Sequence, residues 1–322
     1  MQTKVVKIDS ANIDDAAMKE ACDLIRAGEL VAFPTETVYG LGADALHPEA
    51  SKKIYAAKGR PSDNPLIVHI SKFEDLVSIA REVPPQAKKL ADAFWPGPLT
   101  MIVWKNDRVP YETTGGMDTV AIRMPKHPVA LRLIEGSGCL IAAPSANTSG
   151  KPSPTEASHV ALDMDGRIPM ILDGGPVGIG IESTIVDLSE ETPMILRPGY
   201  ITQEMLQEVL GEKVCMDPGI IASDSTRKPK APGMKYKHYA PKAEMVVIEG
   251  QRDNVKKEIG RLKALNESIG NKVGVILFEE KAFIEAAHDL FADLREMDKE
   301  DVDLIIAGAL SDNDGVGFAV MN

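Results

Sequence analysis

The sequence predicts an α/β protein in two parts, a larger sheet with helices over its faces and then a smaller α/β unit. Short β-rich runs alternate with helical patterns over the first two-thirds of the chain. The periodicity then fades between Gly211 and Pro241, and a strand–helix–strand pattern follows.

Lys4 to Ile8 reads as a strand. Ile13, Ala17, Ala21 and Leu24 recur at helical spacing, with a natural stop at Gly28. Leu30 to Phe33 is a buried strand, and Pro48 to Lys58 is a helix opened by proline in its first turn. Pro65 to Ile70, Leu99 to Trp104, Thr119 to Met124, Cys139 to Ala143, Ile168 to Leu172 and Thr184 to Leu188 read as further strands. Helices between several of them imply a sheet covered on its faces. The stretch 211–241, rich in Pro, Gly, Ser and Lys, reads as a linker or lid. Glu244 to Glu249 and Lys272 to Phe278 then read as strands around a helix reaching about Leu265. Helices are expected at Lys281 to Phe291 and Asp301 to Leu310. This unit has a Rossmann-like pattern without the glycine fingerprint. The expected boundaries are therefore 1–210, 211–241 and 242–322. The apolar run at Ala319-Val320-Met321-Asn322 makes the last unit read as clipped.

Composition narrows the function classes. No apolar run approaches the ~20 residues of a membrane helix, and the first residues carry acids too early for a signal peptide. A cytoplasmic protein with no membrane contact is the expectation. Cys22, Cys139 and Cys215 are odd in number, form no C-x-x-C pair and sit in apolar segments, as small buried hydrophobes do. A net charge of −12 argues against wholesale binding of nucleic-acid backbone but leaves room for a basic cleft. The chain has no P-loop, H-E-x-x-H, G-x-S-x-G or dinucleotide signature, and its six histidines show no metal spacing.

What remains is a set of polar clusters at strand ends, where open α/β sheets place ligands. Phe33-Pro34-Thr35-Glu36-Thr37-Val38-Tyr39-Gly40-Leu41-Gly42 leads from a buried strand into hydroxyls, an acid and glycines that admit close backbone approach, unless it is an ordinary turn. Lys58-Gly59-Arg60 sets two cations around a glycine; this suits a phosphate, or merely the C-terminal dipole of a helix. Arg123 rises from an otherwise apolar strand, on the face it shares with Ala121 and Thr119. It needs an anionic partner, either an internal acid or a ligand carboxylate held by both its nitrogens. Pro144-Ser145-Ala146-Asn147-Thr148-Ser149-Gly150, with Ser153 behind it, offers hydroxyls to phosphate or adenosine. Glu182-Ser183-Thr184 and Leu196-Arg197-Pro198-Gly199 complete the set.

In this order, with Trp95-Pro96-Gly97-Pro98-Leu99-Thr100 between them, these motifs resemble those of the YrdC-like threonylcarbamoyl-AMP synthases. Ala231-Pro232-Gly233-Met234-Lys235-Tyr236-Lys237-His238-Tyr239-Ala240-Pro241 is similar to the linker of that family's longer, two-domain form. The resemblance implies a twisted open mixed sheet whose helices form a concave cleft, followed by a small Rossmann-like domain. It implies that L-threonine, bicarbonate or CO2 and ATP give threonylcarbamoyl-AMP and pyrophosphate, for threonylcarbamoyladenosine modification of tRNA. Thr35, His69, Arg123, Ala143 and Ser183 would hold threonine. Lys58, Arg60, Ser62, Thr119, Ser145, Asn147, Ser153, Arg197 and Tyr236 would hold ATP, whose Mg2+ would have no protein side-chain ligand. Threonylcarbamoyl-transferase proteins downstream are the implied partners, with tRNA itself a candidate. Tyr236 is preferred to Tyr239 as the linker residue reaching the nucleotide, and the linker as a lid over a hydrolysable product. Two rivals stand beside this reading: a non-enzymatic RNA-binding module of the same fold, and a carbamoyl-phosphate-processing enzyme.

Overall fold

The computed structural model describes residues 2–221, 239–278, 283–309 and 315–321. Strands are numbered along the chain: β1 (Lys4–Lys7), β2 (Val31–Pro34), β3 (Tyr39–Asp44), β4 (Ile67–His69), β5 (Leu99–Trp104), β6 (Thr119–Arg123) and β7 (Ile141–Ala142). Then come β8 (Met170–Asp173), β9 (Thr184–Asp187), β10 (Met194–Arg197) and β11 (Cys215–Met216), with β12 (Glu244–Ile248), β13 (Val273–Leu277) and β14 (Leu304–Gly308) in the second part.

The first eleven form one mixed sheet in the order β1-β8-β2-β3-β7-β4-β6-β5-β9-β10-β11. Alternate residues of β2 enter different cores: Ala32 joins one apolar cluster, Val31 and Phe33 another. That two-sided burial is why the strand reads as a continuous apolar run. The helix Pro48–Lys58 starts on proline and ends on Gly59 at φ 60°, as the sequence predicts, which sets Lys58 in its last turn.

Two elements depart from expectation. Tyr39 to Asp44 is not loop but β3, antiparallel to β2. Its Gly42 serves packing, since a Cβ there would lie 2.7 Å from Cε1 of Phe33 and 2.8 Å from Cγ2 of Ile141. Within Asp301 to Leu310, residues 304–308 form β14, the central strand of an all-parallel sheet ordered β12-β14-β13, where a helix was expected. Ile305, Ile306 and Ala307 are fully buried, and a short apolar run of this kind has no periodicity that separates strand from helix.

The two parts share a core. Val38 and Ile181 from the large-sheet region pack in one apolar cluster with Ala286, Ala287 and Phe291 of the helix Phe283–Glu300. Among the described residues no helix is long and apolar enough to cross a membrane.

Candidate functional site

The four-residue turn between β2 and β3 is the first wall of a cleft of about 630 Å3, measured with its mouth. The Thr35 hydroxyl organises this turn, accepting from the backbone N–H groups of Thr37 and Val38 at 3.2 Å and donating to the Val38 carbonyl at 2.6 Å. Beside it, β6 ends in Arg123, 3% exposed and in register with His69 of β4. Nη1 of Arg123 donates to Oγ1 of Thr37 at 2.9 Å, and Nη2 lies 2.7 Å from Oε1 of Glu36. That approach lies off the hydrogen-bonding direction. Nε and Nη2 of Arg123 and Oε1 of Glu36 are therefore buried without a directed hydrogen bond. The internal acid is thus Glu36, and it leaves Arg123 donors unsatisfied.

His69 is buried beside this guanidinium. Burial first, and then Arg123, depress its pKa to about 3, outweighing the carbonyls of Ile67 and Ile141. The imidazole is neutral at physiological pH and adds no charge to a wall that already carries Arg123.

The second wall carries three cations. Lys58 is 1% exposed, and its ammonium donates to the carbonyls of Ser145 and Asn147. Burial and the neighbouring Arg60 pull its pKa well below that of a free lysine. Arg60 is 9% exposed and donates to the carbonyls of Asn64 and Pro65. These positions exclude a solvated charge pair at a helix end. Arg197 of β10 donates to both oxygens of Ser183 at 3.0 Å and lies 3.6 Å from Glu182.

The cleft thus gathers Thr35, His69, Arg123 and Ala143 on one side, and Lys58, Arg60, Ser145, Asn147 and Arg197 on the other. Two expected residues stand one bond behind it. Ser183 bonds Thr100 and Arg197, and Ser153 donates to Oε1 of Glu182 at 2.8 Å. Ser62 is exposed and lines no part of the cleft. Thr119 is buried at the opposite end of β6, four residues and roughly 13 Å from Arg123. Tyr236 lies outside the described residues. Tyr239 lines the cleft, with φ 57°, its ring 5.2 Å from that of Phe291. Burial raises its pKa to about 12, and Arg197 bonds its hydroxyl. Glu182 and Lys151 also line the cleft. Glu182 belongs to the Glu182-Ser183-Thr184 motif, and Lys151 directly follows the Pro144–Gly150 run.

Among the described residues no cluster of three or more His, Cys, Asp or Glu side chains could hold a metal. Among the described residues lining the cleft Glu182 is the one carboxylate, and Ser153 and Arg197 already engage it. This donor set fits a cation that arrives on phosphates.

A twisted mixed sheet with a cation-walled cleft at its strand ends defines a YrdC-like α/β protein. The family model for Sua5, YciO and YrdC, described as "Telomere recombination", matches residues 23–199, and that for the threonylcarbamoyl-AMP synthase C-terminal domain matches residues 201–322. The chain belongs to this family in its two-domain form. It is 51% identical to the threonylcarbamoyl-AMP synthase of Pyrococcus abyssi over 320 residues, covering 96% of this chain and 93% of that one. It is 48% identical to that of Bacillus subtilis, covering 98% and 93%. The crystal structure of P. abyssi Sua5 complexed with L-threonine superposes with a TM-score of 0.95 at 49% identity, over 99% of this chain and 96% of that one.

Proposed function

We propose that this chain makes L-threonylcarbamoyl-AMP from L-threonine, bicarbonate or CO2 and ATP, releasing pyrophosphate. The observation that carries this reading is Arg123. Its buried guanidinium has two nitrogens without a directed hydrogen bond, at one end of a cleft whose other wall holds Lys58, Arg60 and Arg197. The arrangement suits an amino-acid carboxylate at one end and a polyphosphate at the other, with no protein nucleophile required.

Arg123 grips the threonine carboxylate and Ala143 leaves room beside it. The threonine amine adds to CO2 with loss of a proton, or to bicarbonate with loss of water, giving a carbamate, one of whose oxygens attacks the α-phosphorus as the bond to pyrophosphate breaks. Lys58, Arg60 and Arg197 offset the charge that gathers on the phosphates, aided by Ser145 and Asn147. Ser183 and Ser153 act from behind, by setting Arg197 and Glu182. Mg2+ bound to ATP supplies further charge neutralisation. The product feeds threonylcarbamoyl transfer to tRNA by partner proteins in the cytoplasm. Incubation with ATP, Mg2+, bicarbonate and each amino acid in turn tests this reading. Pyrophosphate release should require threonine, and release independent of the amino acid contradicts the proposal.

A further inference from the structure

The loop Ser145 to Ser153 forms much of the cation-bearing wall, and its two ends are held from different parts of the molecule. Lys58 holds the first end through the carbonyls of Ser145 and Asn147. The far end is held by Arg295, on the helix Phe283–Glu300 that follows β13. Arg295 is 8% exposed. Its Nη2 donates to the Pro152 carbonyl at 2.6 Å and to Oδ2 of Asp163 at 2.9 Å, and its Nε donates to the Ser153 carbonyl at 3.3 Å. Nη1 reaches the His159 carbonyl at 3.4 Å.

Asp163, on the helix Ala157–Met164, is itself buried and ties down two further points of the same loop. It accepts from the Thr148 N–H at 3.3 Å and from Nζ of Lys151, a cleft residue, at 2.8 Å. From Ser153 the contact continues through its hydroxyl to Glu182, beside Arg197. Few side chains other than arginine could do this. A planar fork of donors satisfies three carbonyls and a carboxylate at once, whereas lysine offers a point charge.

We propose that Arg295 is a positioning residue by which the second domain sets the nucleotide-binding loop, clamping Pro152, Ser153 and Asp163 and so fixing where Ser145, Asn147 and Lys151 stand. The nucleotide in this statement rests on the functional reading above, whereas the clamp rests on geometry alone. One end of the loop that lines the cleft of the first domain is therefore held from the second.

Amide hydrogen exchange at Thr148, Ser149, Lys151 and Ser153 in the full-length chain tests the clamp. It is read together with affinity for a non-hydrolysable ATP analogue with Mg2+ and affinity for threonine. In Arg295→Ala, exchange at these amides should rise at least about tenfold and analogue affinity should fall roughly tenfold, with threonine affinity unchanged. Arg295→Lys, which keeps a charge beside Asp163 without the fork, should give an intermediate result, and it carries the test should Arg295→Ala not fold. Wild-type exchange in both variants overturns the proposal, and so does faster exchange with unchanged analogue affinity. Failure of the wild-type chain to release pyrophosphate would sink the functional reading, and exchange and analogue binding would still decide on the clamp.

Discussion

Arg123 and Glu36 approach to 2.7 Å at one end of the cleft, yet both keep a buried polar atom without a directed hydrogen bond. A buried cation so incompletely satisfied is costly unless a ligand completes it. Arg123→Ala should therefore lose a charge-assisted contact of about 2–5 kcal/mol, a tens-fold or greater loss of threonine affinity, with ATP binding intact. Calorimetry with threonine measures it, and unchanged affinity removes Arg123 from the proposed role.

Lys58 should matter to stability and to binding together. Lys58→Met leaves the carbonyls of Ser145 and Asn147 without their donor, at about 1–3 kcal/mol for each carbonyl left bare. Urea unfolding reads that loss. In the wild-type chain, burial and Arg60 hold the Lys58 pKa low, and an arriving polyphosphate would push it back up. ATP binding at alkaline pH should then take up protons, seen as a buffer-dependent binding enthalpy.

His69 makes the fold sensitive to acid. Its pKa is about 3 in the folded chain against 6.5 for a free histidine, so below pH 6.5 the unfolded chain binds a proton that the folded chain does not. The stability from neutral His69 is present above pH 6.5 and is lost as the pH falls towards 3, by about 2 kcal/mol at pH 5. Burial also lowers the pKa of His127 and His159, which add smaller losses in the same direction. His69→Gln should flatten the acid limb of a stability-versus-pH curve, and an identical limb would show that His69 is not buried neutral.

Gly42 and Gly180 should fail for different reasons. Gly42→Ala drives a methyl into Phe33 and Ile141 in the apolar cluster they share with Val31, an overpacking cost of about 1–3 kcal/mol. Gly180 has φ +84°, and a Cβ there would lie 2.1 Å from the His288 carbonyl oxygen. Gly180→Ala should thus strain the contact between the two parts. Limited proteolysis separates the cases, with cleavage between the parts enhanced only in Gly180→Ala.

Legibility in the sequence followed pattern strength. The Pro48–Lys58 helix and the Leu99–Trp104 strand carried start signals or β-branched runs and occur where they were expected. β3 was hidden by Gly40 and Gly42, which suggest a loop until Phe33 is seen lying against them. β14 was hidden by its two-sided burial. Motif order brought Lys58, Arg60, Arg123, Ser145 and Arg197 to one cleft, because each ends or follows a strand or helix pointing there. The roles of Glu36 and Arg295 depend on contacts 87 and more residues away in sequence, and no local pattern encodes those.

In the proposed reaction one cleft joins threonine, bicarbonate and ATP. Labelled bicarbonate, threonine, ATP and Mg2+ should yield an adenylate carrying the label, detected by mass spectrometry, with one pyrophosphate for each adenylate. Arg123→Ala should abolish it at low threonine. Label-free AMP and pyrophosphate formed at equal rates with and without threonine would contradict the account.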